Sequence, residues 1–116
     1  MHLTELVRLL KAEVLTPAGD TSKEITAVHA SDLISRVLAG CSRGALWVTG
    51  LLDPQIVNTA ELFDLSGIVF VNNRRPSIET IEQAKQEGIL MICTELTMFE
   101  TCGILYTHGM IPAKRA

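Results

Sequence analysis

Apolar positions along the chain change period several times, and each change marks an element. Leu3, Leu6, Val7 and Leu10 recur at helical spacing, which predicts an amphipathic helix over 4–12 with Thr4 as its cap. "EVLT" (13–16) reads as a short strand, closed by Pro17 and a turn in "PAGDTS". "EITAVHA" (24–30) alternates β-branched and small residues and reads as a second strand. Ser31 or Asp32 then caps a helix whose apolar face is Leu33, Ile34, Val37 and Leu38, ending near Gly40. "ALWVTG" (45–50) is a buried strand. The next helix has Asp53 as cap and Pro54 at its first position, where a missing N–H is harmless.

"GIVFV" (67–71) follows as a strand, then the loop "NNRRP", then a helix from its cap Ser77 to its stop at Gly88. "ILMIC" (89–93) reads as the last strand. "TELTMFETCGILYTHG" holds a final helix interrupted in composition by Gly103, and "MIPAKRA" (110–116) reads as a frayed tail. From residue 45 on, continuous apolar strands alternate with helices across short loops. That pattern implies an α/β fold with a mostly parallel sheet of about five strands, covered on both faces.

Composition narrows the function classes. A chain of 116 residues with 47% hydrophobic and 20% charged residues is apolar for one small domain, so part of its surface is expected to be covered by a second subunit, most simply in a homodimer. The net charge of −3 excludes a basic face that would neutralise several phosphates of a nucleic acid. No apolar run approaches the roughly 20 residues that span a bilayer. The acid-bearing N-terminal helix lacks the basic start and cleavage site of a signal peptide, so the expected compartment is the cytoplasm. Cys41, Cys93 and Cys102 have no metal-ligand spacing and read as reduced structural thiols, with no metal and no cofactor expected.

Open α/β sheets gather ligands beyond the carboxyl ends of their strands, where helix N-termini present free N–H groups. Four segments belong there: His29–Ala30–Ser31–Asp32, Thr49–Gly50 with Asp53, Asn72–Asn73–Arg74–Arg75, and Thr94–Glu95. His29, Ser31, Asp32, Thr49, Asp53, Asn72, Arg74 and Thr94 are the candidate ligand-binding residues. Each also has a plain structural role to offer. Ser31 and Asp32 are preferred caps, "NNRRP" is a turn whose arginines can pair with Glu79 or Glu82, and Glu95 suits the first turn of a helix. A catalytic triad is not expected, because no nucleophile motif lies near His29. Neither GxxxxGK[ST] nor a strand-following GxGxxG occurs. Trp47 reads as core or interface.

Several stretches resemble a known family. Ser31–Asp32–Leu33, Trp47–Val48–Thr49, Ile56–Val57, Val71–Asn72, Glu79–Thr80–Ile81 with Gly88–Ile89, and Phe99–Glu100 with Cys102–Gly103 are similar to a DRTGG domain over residues 3–110. The name-giving motif departs: the matching segment is Lys23–Glu24–Ile25–Thr26–Ala27–Val28, with Ala27 and Val28 in place of paired glycines. Neither reaches φ > 0 cheaply, which calls into question any ligand site that depends on the pair.

The resemblance implies a three-layer α/β/α domain like the N-terminal domain of HPr kinase, accessory and not catalytic, and tending to pair as a dimer. It further implies the company of iron-only hydrogenases or NADH-linked iron–sulfur subunits. The expected function is therefore a non-catalytic regulatory module that senses a small anionic metabolite or nucleotide and modulates such a redox partner. The alternative is a ligand-free assembly protein that docks one. Phosphotransfer is not expected, because neither a phosphate loop nor metal-holding acids are recognisable.

Overall fold

The computed structural model describes residues 1–17 and 23–113. The elements run α1 (Leu3–Leu10), β1 (Glu13–Val14), β2 (Ala27–Ala30), α2 (Ile34–Leu38), β3 (Leu46–Thr49), α3 (Gln55–Leu62), β4 (Gly67–Phe70), α4 (Ile78–Glu87), β5 (Met91–Cys93), α5 (Met98–Thr107) and β6 (Ile111–Pro112). One six-stranded sheet has the order β1-β5-β4-β3-β2-β6, with β1 antiparallel to β5 and every other pairing parallel. Beyond Pro17, the turn expected in "PAGDTS" lies outside the described residues, as does the tail at 114–116.

The two-residue period of the strands sorts their side chains into two cores. Trp47, Ile68, Phe70, Met91 and Cys93 face one side and pack on Val37 of α2, Ile56, Val57 and Ala60 of α3, and Ala84 of α4. Leu46, Val48, Val69, Val71, Leu90 and Ile92 face the other side and meet Leu3, Leu6 and Leu10 of α1 and Leu105 of α5. The result is the three-layer α/β/α arrangement: α2, α3 and α4 over one face, α1 and α5 over the other. Trp47 is fully buried, which resolves its placement in favour of the core.

Two glycines are required by geometry. A Cβ on Gly67 would stand 3.0 Å from the Leu90 Cβ and 3.1 Å from its carbonyl oxygen, so β4 and β5 approach closely only because none is there. Gly88 ends α4 at φ 70°, the left-handed stop expected of it, and Ser77 accepts the Thr80 N–H at the other end.

Several expectations are corrected by long-range contacts. The sheet has six strands, because Ile111 and Pro112, expected in a frayed tail, pair with β2: the Ile111 N–H reaches the Thr26 carbonyl and the Ala113 N–H that of Val28. α1 begins at Leu3 behind His2, so Thr4 is inside the helix and caps nothing. β2 is shorter than expected, because Glu24 and Ile25 are bound to Met1, whose ammonium meets the Glu24 carboxylate at 2.6 Å and the Ile25 carbonyl at 2.9 Å. α2 has Leu33 before its first turn with no side-chain cap, and only Val37 of its expected apolar face is fully buried, Leu33 and Leu38 being exposed. Neither Ser31 nor Asp32 caps α2, because both side chains have other partners.

Candidate functional site

At the carboxyl edge of the sheet, β2, β3 and β4 end side by side, and Asp32 joins the first two of them. Its Oδ1 accepts the Gly50 N–H at 2.8 Å and the Thr49 hydroxyl at 3.1 Å. A carboxylate that would have capped its own helix thus fastens the end of β3 to the end of β2. The Thr49 hydroxyl, fully buried, also accepts the Leu51 N–H, which turns the chain towards α3. Ser31 makes a local turn by accepting the Leu33 N–H, and its carbonyl accepts the Trp47 indole N–H at 2.9 Å. That indole bond was not foreseen. It depends on the β2–β3 register, which places His29 opposite Trp47 and which no local pattern encodes.

Arg74 completes the cluster from β4. Its Cδ would be 3.5 Å from a Cβ placed on Gly50, and the Asp32 Oδ1 would be 3.7 Å from the same point. The arginine stem therefore lies across Gly50 beside Asp32, and no ion pair holds its guanidinium among the described residues. Its neighbour Arg75 differs. The Arg75 Nη1 meets Glu13 Oε2 on β1 at 2.5 Å instead of pairing with Glu79 or Glu82. The hydrogen bond from Arg75, and then its charge, hold the Glu13 carboxyl below the usual range. One arginine of the pair closes a sheet edge; the other is left at the candidate site.

The remaining candidates are distributed unevenly. Asn72 and Asn73 both take left-handed backbone conformations, φ 57° and 55°, which asparagine tolerates better than most residues. Their N–H groups reach the Leu96 and Thr94 carbonyls, each at 2.8 Å. This is the crevice where α4 leaves for one face and α5 for the other, the usual ligand position of such sheets. Here backbone bonds lace it shut. Thr94 is buried, donating to the Leu10 carbonyl at 2.7 Å and accepting from Leu96, so its hydroxyl faces the interior. Glu95 precedes α5; the helix is instead started by Thr97 and Glu100, which form a reciprocal capping box. Asp53 accepts the Gln55 N–H two residues on at 2.9 Å, but the residue flanking α3 is Pro54 and no side-chain bond caps the helix there, so the cap expected of Asp53 is displaced by one position. His29 is half-buried with Nε2 unpartnered, and burial pushes its imidazole below the ordinary value.

The structure thus brings together Asp32, Thr49 and Arg74, with Gly50 as an addition. Ser31 and His29 stand behind Asp32 along β2, while Thr94 sits inside the protein. Ala27 and Val28, which occupy the glycine positions of the resembling family, lie in β2 paired with β3 and β6 and are absent from the residues with positive φ. They precede Asp32 along β2, so the cluster is built without them. The described cavities lie elsewhere: one of about 310 Å³ at the amino edge, lined by Thr16, Lys23 and Lys85 among others, and a groove of about 170 Å³ between α5 and the β2–β6 edge. Among the described residues, no group of three or more His, Cys, Asp or Glu side chains could hold a metal ion, and no helix is long and apolar enough to cross a membrane.

No protein-family model matches the sequence, and no curated protein matches it. A solved structure does resemble the fold. It contains the CBS and DRTGG domains of the regulatory region of a Clostridium perfringens pyrophosphatase, complexed with the activator diadenosine tetraphosphate. It matches 90% of this chain with a TM-score of 0.74 and 19% identity. The chain spans about half of that structure, 45% of its length. At this identity the likeness speaks for fold: an α/β/α architecture of the DRTGG-like kind, in agreement with the sequence resemblance.

Proposed function

We propose that this chain is a non-catalytic regulatory module that binds a small anionic metabolite at the carboxyl ends of β2, β3 and β4, and that a nucleotide fits best. The carrying observation is the placement of Arg74 beside Asp32 and Gly50: among the described residues no ion pair holds its guanidinium, whereas Arg75 is tied to Glu13. A guanidinium suits a phosphate or carboxylate. Asp32 would repel a bare anion, but its second oxygen can accept from a sugar hydroxyl, as acids do towards ribose in other α/β sheets. Arg74 for phosphate and Asp32 for ribose together favour a nucleotide over a simple acid. The resembling pyrophosphatase region, complexed with a nucleotide activator, supports the same class.

Binding acts by population shift: a ligand bridging the ends of β2 and β4 stabilises one arrangement of a homodimer or partner complex over another. The pairing rests on the apolar composition and the family resemblance. The redox partner, an iron-only hydrogenase or NADH-linked iron–sulfur subunit, rests on that resemblance alone.

The test is a thermal-shift screen with mononucleotides, dinucleoside polyphosphates, small di-acids and inorganic phosphate. A nucleotide at 100 times its Kd is expected to stabilise by about 2.7 kcal/mol. R74A and G50A should abolish or weaken the shift, the latter because a methyl group would stand between Asp32 and Arg74. Absence of stabilisation by every compound would overturn the proposal and favour the ligand-free assembly reading.

A further inference from the structure

The larger of the two described cavities lies at the opposite edge of the sheet from Asp32 and Arg74, and the ligand site there does not explain it. It holds about 310 Å³ where α1 begins, α4 ends and β4 and β5 are entered. That volume falls at the low end of ligand pockets, roughly 300–1,000 Å³. The floor is apolar: Leu3, Ile25, Ile89 and Leu90 line it and are all buried. The hydroxyls in its wall are already engaged. Thr16 donates to the Ile89 carbonyl at 3.0 Å and accepts the Met91 N–H at 2.9 Å, and Ser66 donates to the Gly44 carbonyl. These bonds fix the wall in place, and they leave water on the floor short of the roughly three polar partners it needs. An apolar group that displaces such water gains affinity. Lys23 and Lys85 also line the cavity, and both are exposed at its rim.

We propose that this cavity binds a small amphipathic anion, a short-chain carboxylic acid, with its hydrocarbon chain on the apolar floor and its carboxylate held by Lys23 and Lys85. With Thr16 and Ser66 engaged, the two ammonium groups are the side-chain donors that the cavity has to offer. Lys23 takes part in no ion pair among the described residues. Lys85 meets Glu82 at 3.1 Å, an exposed pair of little strength. An ammonium is a point charge that takes carboxylate and phosphate alike, so the charge balance decides between them. Glu24, next to Lys23, is neutralised by the Met1 ammonium. The helix ends offset each other: α1 opens at Leu3 with no side-chain cap, presenting the positive end of its dipole, and α4 closes at Gly88, presenting the negative end. Lys23 and Lys85 less Glu82 then leave one net positive charge, which matches a carboxylate monoanion better than a phosphate dianion. The site differs in place and chemistry from the nucleotide site proposed above and is independent of it.

Titration of the full chain with hexanoate, followed by two-dimensional amide NMR, should move the resonances of Leu3, Ser66, Gly88 and Leu90 saturably and leave those of Gly50 and Arg74 in place. Affinity should rise about fourfold for each methylene added from butanoate to hexanoate. K23M/K85M, which changes only exposed side chains, should weaken hexanoate binding roughly tenfold or more. Hexanol and hexylamine carry the chain without the negative charge, and acetate and inorganic phosphate carry the charge without the chain; each should bind far more weakly. The absence of a saturable shift with hexanoate overturns the proposal. Equal binding of hexanol or hexylamine overturns the anion, and equal binding of acetate or phosphate overturns the apolar floor. Undiminished binding by K23M/K85M overturns the two lysines as its holders. Shifts at Gly50 and Arg74 in place of the cavity amides overturn the cavity and assign the acid to the other edge. A nucleotide screen that fails leaves all of these outcomes as they stand.

Discussion

The two helices that follow β2 and β4 are started in opposite ways. α4 obeys its own sequence: Ser77 takes the Thr80 N–H three residues on, and Gly88 stops the helix. α2 has equally good start signals in Ser31 and Asp32, yet neither is used for capping. Its approach is held from a distance, by the Trp47 indole on the Ser31 carbonyl and by Gly50 and Thr49 on Asp32. The contrast separates polar residues that punctuate a helix from polar residues that fasten strand ends together. Both look alike along the chain, and only partners 16 to 18 positions away tell them apart.

That contrast can be broken most severely at Trp47. Trp47→Ala removes a fully buried indole together with the bond to Ser31, and should cost about 3–5 kcal/mol in a denaturant titration. A smaller effect is expected at Asp32. Asp32→Ala should cost about 1–2 kcal/mol through two lost hydrogen bonds, whereas Asp32→Asn retains an acceptor and should lose less; equal losses in both would mean that charge, not the carbonyl-like oxygen, holds β3. Ser77→Ala sharpens the other side, with a loss of about 1 kcal/mol. In hydrogen exchange that loss should be confined to α4 amides, while the Asp32 variants loosen β2, α2 and the end of β3 together.

The smallest effect is one of pH. Burial lowers the His29 imidazole below its ordinary 6.5, so the unfolded chain takes up a proton before the folded one as pH falls. The stability carried by neutral His29 is complete above about pH 6.5 and declines as pH drops towards the folded-state value. Melting temperatures measured from pH 7.5 to 5.5 should fall in the wild type and fall less in His29→Gln; parallel slopes would remove His29 from the account.

The parallel core was legible because its strands are continuous apolar runs and its helices carry local caps. Leu46 to Thr49, Gly67 to Phe70 and Met91 to Cys93 needed no tertiary knowledge to be placed as strands. β6 was not legible. Two residues, one a proline, carry no periodicity, and the strand exists because β2 offers an edge that a remote segment can pair. The candidate site was half legible. The rule of carboxyl ends located Asp32, Thr49 and Arg74 correctly at one sheet edge, but it could not separate Arg74 from Arg75. That separation depends on Glu13, 62 residues from Arg75 and brought beside it by the antiparallel pairing of β1 with β5. Thr94 shows the same in reverse, since its hydroxyl is turned to the Leu10 carbonyl of α1.

The proline of β6 has a consequence for how large an assembly can become. Ile111 and Ala113 direct their N–H groups inward to β2, so the alternation of a parallel strand turns the nitrogen of Pro112 outward, where it has no hydrogen to give. A further strand arriving at this flank finds no donor at Pro112, in a strand of only two residues. Growth by edge-to-edge pairing, the route to fibres, is blunted on this side. A partner that meets this flank does so through side chains and not by extending the sheet.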